Sequence, residues 1–267
     1  MGLHVHRSER TDVLLAGLAE VLARAPADPF AVDLVAVPTP GIERYLSQGL
    51  ARTLGATPGR TDGVCANLSF ASPARLADEV IARATGVTPD TDPWLAHRMV
   101  WPLLAVIDAS ADQAWCRSLA RHLEHRDRRF ATASRLTGLF GSYASQRPRL
   151  LTDWARGPGP DGHDRDGAGG RLASDLAWQA ELWRGLRTRI DAPSPAERLA
   201  SACAAVRADP DLVDLPERLS VFGPSRLPAD QLSVLAALSA GREVHLWLAD
   251  PSPILWREVS AAPILWS

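Results

Sequence analysis

Apolar and polar positions alternate in two distinct rhythms along the chain. Leu3 and Val5 lie on one face of a short strand over residues 3–6, and the polar run Arg7-Ser8-Glu9-Arg10 follows it. Leu14, Leu18, Val21, Leu22 and Ala25 then recur at helical spacing, with Thr11 placed to cap the helix and Pro26 and Pro29 to stop it. Leu34-Val35-Ala36-Val37 is a compact apolar run of the kind that forms a buried parallel strand. Pro38-Thr39-Pro40-Gly41 makes a loop, and Ile42, Tyr45, Leu46 and Leu50 mark a second amphipathic helix. Residues 64–70 read as a third strand, and Ser72-Pro73 opens a helix carrying Leu76, Val80 and Ile81. Strand and helix in strict turn predict a parallel α/β sheet.

From about Asp92 to Arg207 the strand rhythm stops and helical periodicity takes over. Trp94, Met99, Trp101, Leu104 and Ile107 form one stripe, and Trp115, Leu119, Leu123 and Phe130 lie near another. Leu136, Leu139, Phe140 and Tyr143 form a third stripe, and Leu176, Leu182, Trp183, Leu186 and Ile190 a fourth. Residues 196–206 add a short helix, and the Gly-, Asp- and Pro-rich stretch at 157–171 reads as a flexible loop. The α/β rhythm returns with a strand at 219–223, a helix at 228–238 and a strand at 243–248. In that last strand Glu243 and His245 are expected to face outward and Val244, Leu246 and Leu248 inward. The expected domains are therefore 1–90, the first part of an α/β domain; 91–207, a helical insertion; and 208–267, the return to the sheet. Pro253-Ile254-Leu255-Trp256 recurs as Pro263-Ile264-Leu265-Trp266, which suggests a truncated or altered C-terminus.

Composition narrows the chemistry. The 267 residues carry a net charge of −2, so no bulk basic field draws the whole chain to nucleic acid. All 29 basic residues are arginine. Codon bias in a GC-rich genome accounts for this, and the chemical consequence holds whatever the cause. Without lysine there is no Walker A phosphate loop, no Schiff base and no serine–lysine hydrolase. Cys65, Cys116 and Cys203 are too scattered for a disulfide framework or a thiolate metal site, which points to a reducing cytoplasm. The chain shows neither an apolar run long enough for a membrane span nor a secretion signal at its N-terminus.

Few residue clusters suggest chemistry. His122 and His125 have an H-x-x-H spacing that can share a metal, but no third ligand accompanies them, and a solvated helix face carries more weight. Gly223-Pro224-Ser225 has the start of a nucleophile elbow. Leu227 stands where that motif needs glycine, so a turn before a helix is the better reading. Arg117, Arg121, Arg126, Arg128, Arg129, Arg135, Arg147 and Arg149 fall in the helical block. From the residues alone an ordinary charged surface carries more weight than a phosphate-contacting face. Trp94, Trp101, Trp178 and Trp183 sit on apolar stripes, which favours core packing or a subunit interface over base stacking for most of them.

The order of several stretches resembles the N-terminal part of the RecC family, the gamma subunit of exodeoxyribonuclease V (the RecBCD helicase–nuclease). These stretches are His4-Val5-His6-Arg7-Ser8; Asp28-Pro29-Phe30; Val35 through Leu46; and Ala66-Asn67-Leu68-Ser69-Phe70. Further on they are Leu139-Phe140 with Tyr143 and Arg147-Pro148; Trp178-Gln179-Ala180 with Leu182-Trp183; Val221 through Pro228; and Val244-His245-Leu246-Trp247 through Asp250-Pro251-Ser252-Pro253 to Trp256. No single stretch is diagnostic, and their shared order and spacing carry the resemblance. It implies a P-loop-type superfamily 1 helicase-like sheet (domain 1A) that has lost its motor motifs, with an inserted all-helical 1B-like subdomain. Arg7 to Thr11 occupies the place of the phosphate loop with neither Gly nor Lys. Phe222 ends the strand on which a Mg²⁺-holding carboxylate would stand, and a phenyl ring cannot ligate a hard cation.

The resemblance further implies a non-catalytic DNA-binding subunit, with no catalytic, cofactor-binding or metal-binding residues of its own. ATP and Mg would be bound by partner subunits, a RecB-like helicase–nuclease and a RecD-like helicase. The substrates would be double-strand DNA ends and single-stranded DNA in recombinational repair. In the resembled subunit the loop after the second strand and the Leu-Phe…Tyr…Arg-Pro stretch line the path that scans the 3′ strand for Chi. Carried onto this sequence, those positions are Thr39, Arg44, Leu139 and Arg147. Here prolines at 38 and 40 replace polar side chains, and no acidic residues follow Gly138, so the expectation is general strand guidance. The alternative is a truncated gene product without independent function.

Overall fold

The computed structural model describes residues 1–24, 28, 30–57, 59, 60, 62–123, 126–250, 252, 254, 257 and 258. The expected helix stops at Pro26 and Pro29, His125 of the H-x-x-H pair and most of the repeated tail lie outside the described residues. The order of elements is β1 (Gly2–Ser8), α1 (Thr11–Leu22), β2 (Asp33–Ala36), α2 (Pro40–Leu50), β3 (Leu68–Ala71) and α3 (Pro73–Thr85). Next come α4 (Ala96–Ala109), α5 (Arg117–His122), α6 (Arg126–Gln146), α7 (Pro148–Arg156), α8 (Ala177–Ile190) and α9 (Pro195–Ala208). The order closes with β4 (Arg218–Phe222), α10 (Ala229–Leu238) and β5 (Glu243–Ala249). The described residues fall into two compact units. Those of the first lie in Met1–Ala84, Cys203–Leu227 and Gln231–Leu265, and those of the second in Thr85–Ala202 and Pro228–Asp230.

The first unit is a five-stranded sheet in the order β1-β5-β4-β2-β3. Every neighbouring pair is parallel. Parallel strands need crossover connections, and these put helices over both faces. α1 and α2 cover one face, sharing a core in which Leu14, Leu18, Leu46 and Leu50 meet Val35, Val37, Phe222 and Trp247. On the other face Val221, Val244 and Leu246 are buried as well. α1 comes close enough that a Cβ added at Gly17 would stand 2.9 Å from the Trp247 ring, so that helix position has room only for glycine.

Three local expectations are corrected. The third strand is only Leu68–Ala71, because it is hydrogen-bonded along β2 alone, and β2 itself spans four residues. Thr11 is the first residue of α1, not its cap. Arg10 takes the cap position without a side-chain capping bond to the helix backbone, and its guanidinium pairs with the Asp12 carboxylate in the first turn. His245 is buried, not outward-facing, because α1 covers the face that it shares with Trp247.

Polar groups close the first unit at the amino end of the strands. Arg218 of β4 grips Asp33 of β2 with both arms of its fork, Nε to Oδ1 at 2.8 Å and Nη2 to Oδ2 at 2.6 Å. Its Nη1 also donates to the carbonyls of Val21 and Arg24 at the end of α1, at 2.6 and 3.2 Å. On the α1 face His6 Nε2 and His245 Nδ1 share a hydrogen bond of 2.9 Å, and His245 Nε2 meets Glu243 Oε1 at 3.0 Å. Burial, opposed by the Glu243 carboxylate, holds the His245 imidazole below its ordinary pKa, and burial with the nearby His4 lowers His6.

The second unit contains α4–α8 and, among its described residues, no strand. Its core gathers Trp94, Leu103, Ile107, Phe140, Leu151, Trp154, Leu182 and Trp183. The indole N–H groups donate to backbone carbonyls, Trp183 to Leu151 at 3.0 Å, Trp154 to Arg165 at 3.1 Å and Trp94 to Ala192 at 3.3 Å. The loop at 157–171 is tied by polar bonds in place of apolar ones. Asp164 receives both arms of Arg184 at 2.6 and 3.3 Å, and Asp166 Oδ1 accepts from the backbone of Ala168 and Gly170 at 2.9 and 2.8 Å. α9 opens with a capping box, in which Ser194 Oγ accepts from Glu197 N at 3.3 Å and Glu197 Oε2 accepts from Ser194 N at 2.7 Å.

Two outcomes check this account. Arg218→Ala leaves Asp33 an unpaired, mostly buried carboxylate and should cost about 3 kcal/mol in denaturant unfolding. Arg218→Lys should recover less than half of that, because an ammonium cannot reproduce the fork. The second outcome concerns pH. Histidines held neutral in the fold take up protons on unfolding, so their contribution is complete above about pH 6.5 and is lost as pH falls below it. The thermal midpoint should drop between pH 7 and pH 5, roughly these limits, and less steeply in His245→Gln than in the unsubstituted protein.

Candidate nucleic-acid interface

All five strands end at one edge of the sheet. In an open parallel sheet ligands bind outside the carboxyl ends, at the point where the strand order reverses. Here the chain leaves β2 through α2 to reach β3 on one side, and leaves β4 through α10 to reach β5 on the other. The reversal therefore falls between β2 and β4, and the loops after those strands form its lips.

The lip after β2 is Val37 to Pro40. Thr39 is extended at φ −146° and accepts a bond from Ile42 N at 3.4 Å, with Pro40 at the first helical position. This pattern starts α2 directly at the mouth. Pro38, Thr39 and Pro40 are exposed, as is Arg44 one turn into the helix. Among the described residues Arg44 has no hydrogen-bond or ion-pair partner, so its guanidinium is available to a phosphate or a base edge. Glu43 beside it opposes an anion, which leaves Arg44 as the attractive charge on this lip. The lip after β4 begins at Gly223, whose φ of +65° permits the turn, and a Cβ there would stand 3.4 Å from Ile42 Cδ1. The two lips therefore touch. Ser225 and Arg226, both exposed, extend the mouth on that side. In the sequence Ser225 stands out only in an incomplete nucleophile elbow and Arg226 only in the family resemblance; the β2–β4 pairing brings their loop, at Gly223, against Ile42 of α2.

The other carboxyl ends bear on nucleotide chemistry. Only Glu9 and Arg10 separate β1 from α1, too few residues for a glycine-rich loop to wrap phosphates. Arg10 is tied to Asp12, whose carboxyl it holds below the usual range. Phe222 at the end of β4 is buried in hydrocarbon. A magnesium nucleotide does not fit the residues present at these ends. Among the described residues no group of three or more His, Cys, Asp or Glu side chains could hold a metal ion. The three cysteines are free, and burial raises each thiol above its ordinary pKa, the opposite of what a nucleophile needs.

The remaining expected residues lie in the second unit. Leu139 of α6 is half-buried and packs against that unit's core, beside the fully buried Phe140. Arg147 caps α7, donating its backbone N–H to the Tyr143 carbonyl at 2.8 Å, with its side chain exposed. The four positions thus form two pairs, Thr39 with Arg44 on the first unit and Leu139 with Arg147 on the second. His122 ends α5 on an exposed position.

Together these features define a parallel α/β protein with a separate helical unit and a carboxyl edge lined by proline, arginine and hydrocarbon. The family model described as RecC, N-terminal domain, matches residues 3–265. The chain belongs to the RecC family. It is 48% identical over 271 aligned residues to the RecBCD enzyme subunit RecC of Mycobacterium tuberculosis (strain ATCC 25618 / H37Rv), covering 97% of this chain and 23% of that protein. Its identity to the subunit of Mycolicibacterium smegmatis is 47%, covering 97% of this chain and 22% of that protein. The corresponding subunit of Escherichia coli (strain K12) is 26% identical over 96% of this chain and 22% of its own length. The chain therefore spans less than a quarter of the relatives it matches.

The role of Thr39 can be checked directly. Thr39→Ala should cost about 1 kcal/mol of stability through the lost cap, whereas Thr39→Ser should keep most of it in the same urea titration.

Proposed function

We propose that this chain is a non-catalytic, strand-guiding DNA-binding part of a RecBCD-type exodeoxyribonuclease V. The carrying observation is the carboxyl edge of the sheet. The ends of β1 and β4 hold an ion pair and a buried phenyl ring, while the reversal point between β2 and β4 presents the unpaired Arg44. Loss of phosphate chemistry at two strand ends, with a cation kept at the third, supports a superfamily 1 helicase-like sheet that has exchanged its motor for contact with DNA. The helical unit is read as a 1B-like insertion. Thr39, Arg44, Leu139 and Arg147 are the proposed strand contacts, and ATP and Mg are assigned to RecB-like and RecD-like partner subunits. In this reading the assembly works in the cytoplasm on double-strand ends during repair. Among the described residues no helix is long and apolar enough to cross a membrane.

One observation favours the second reading, a gene product without independent function. β1 is an edge strand, and its Leu3 and Val5 are exposed, so apolar surface stands uncovered there. Aggregation of the purified chain that further RecC polypeptide suppresses would support it.

The leading reading is tested on the 267-residue chain in two assays. Single-stranded oligothymidylate should bind in a salt-dependent manner, and Arg44→Ala should lower the slope of log K against log salt by about 0.7 for one lost phosphate contact. Mg-ATP should give no thermal shift. Micromolar affinity for Mg-ATP would overturn the non-motor assignment, and binding that ignores both salt and Arg44 would overturn the DNA assignment.

A further inference from the structure

The second unit carries a cleft of about 590 Å³ whose lining includes Asp108, Asp112, Arg117, Arg121 and Arg129. Its charges are unevenly engaged. Arg129 Nη2 lies 2.7 Å from both oxygens of Asp108, so those two neutralise one another and tie α6 to α4. Arg117 and Arg121 stand one turn apart on α5, exposed, and neither guanidinium has a hydrogen-bond or ion-pair partner among the described residues. That contrasts with Arg10, Arg75, Arg156, Arg165, Arg184, Arg187, Arg198 and Arg218, each of which is paired with a carboxylate. Among the described residues Asp112 is the remaining acid of the lining, so two guanidiniums without a side-chain partner share the cleft with one such carboxylate.

The same two helices expose an aromatic pair. Trp101 of α4 and Phe130 of α6 are 66% and 60% accessible, with ring centroids 6.3 Å apart and planes tilted by 50°. Trp101 precedes Asp108 by two helical turns, which sets it about 10 Å along the same face of α4. Phe130 adjoins Arg129 in sequence. Water-exposed aromatic rings of this size are unfavourable without a partner, and every base has a π-face to offer one. Free arginines in a cleft with stacking rings beside them combine the two elements by which proteins hold single strands without reading sequence.

We propose that the α4–α5–α6 face is a contact site for single-stranded nucleic acid. Arg117 and Arg121 hold phosphates in the cleft, and the Trp101–Phe130 pair stacks a base. The inference rests on the strand-guiding reading above and adds to it a contact surface on the helical unit. The planar fork of arginine suits it to phosphate, and the lack of hydrogen-bond readout makes the surface tolerant of sequence.

The test measures oligothymidylate binding to the full chain by anisotropy and by tryptophan quenching, over a salt series. The variants are Arg117→Ser/Arg121→Ser, Trp101→Leu and Trp101→Phe, with Arg44→Ala as the variant of the other unit. The double arginine variant should weaken binding roughly tenfold and lower the salt slope by about 1.4, the loss of two phosphate contacts. Trp101→Leu should weaken binding roughly fivefold or more with the slope unchanged, and Trp101→Phe should restore most of the affinity because a ring remains. If these variants bind like the unsubstituted chain while Arg44→Ala is weakened, the cleft is no contact site and the strand-guiding reading stands without it. If the unsubstituted chain binds no oligonucleotide even at low salt, the strand-guiding reading fails and this inference falls with it. Lowered affinity in Trp101→Leu that Trp101→Phe does not restore would also overturn it, since a stacking role requires only the ring. All the substituted residues are exposed, and circular dichroism is the check that each variant is folded.

Discussion

The pairing of β2 with β4 is the interaction on which the first unit depends. These strands come from segments far apart in the chain, and the Arg218–Asp33 fork that fixes them joins residues 185 positions apart. The same guanidinium takes up carbonyls at the end of α1, so one side chain closes two strands and a helix at the amino end of the sheet. The cost of burying this charge is offset only because every part of the fork is engaged. At the opposite end of the same two strands lies the reversal of strand order, with Thr39 and Arg44 on one lip and Gly223 to Arg226 on the other. Structural charge at one end and accessible charge at the other are therefore consequences of a single pairing.

In this sheet the packing of the core is independent of the chemistry of the carboxyl-edge loops. The requirements of the core are met by Phe222, Trp247 and the α1–α2 face, whose packing does not depend on what stands in the loops. A two-residue connection from β1 to α1 and a phenyl ring at the end of β4 are compatible with that packing and incompatible with binding a magnesium nucleotide. The strand order still leaves a reversal between β2 and β4 at the carboxyl edge, the place where open parallel sheets take ligands.

Much of the fold was legible because its signals are local. The run Leu34–Val37, the stripe Leu14-Leu18-Val21 and the helical rhythm between 92 and 207 each describe their own element. What was not legible depends on partners distant in the chain. His245 reads as an outward position in an alternating strand, and only the passage of α1 over that face buries it. β3 is shorter than its apolar run because β2 offers it four residues of ladder. The site divides in the same way. Thr39 and Arg44 stand on a strand-to-helix junction visible in the sequence, whereas the loop that starts at Gly223 meets that junction only through the strand order. Trp101 lies on an apolar stripe with Trp94, yet Trp94 is core and Trp101 is open to solvent. A helical stripe does not specify how far around the helix burial extends.

A chain whose cations are all arginine hides the difference between structural and functional charge, because one residue type does both jobs. Pairing separates them. Arg184, Arg198 and Arg218 are mostly buried and matched to carboxylates, and Arg242 is buried with backbone carbonyls, its Nη2 lying 2.7 Å from Val213 O. Apart from Arg198 Nε and Arg242 Nη1, which are buried without a hydrogen-bond partner among the described residues, those groups have exchanged water for protein partners. Arg44, Arg117 and Arg121 have made no such exchange among the described residues, although the chain holds more acids than bases. With 31 carboxylates against 29 arginines, an unpaired guanidinium in a cleft or at a strand-order reversal is not a surplus of positive charge. Place as well as pairing sets these three apart: Arg44 stands on a lip of the strand-order reversal, with Glu43 beside it, and Arg117 and Arg121 line a cleft that also holds Asp112.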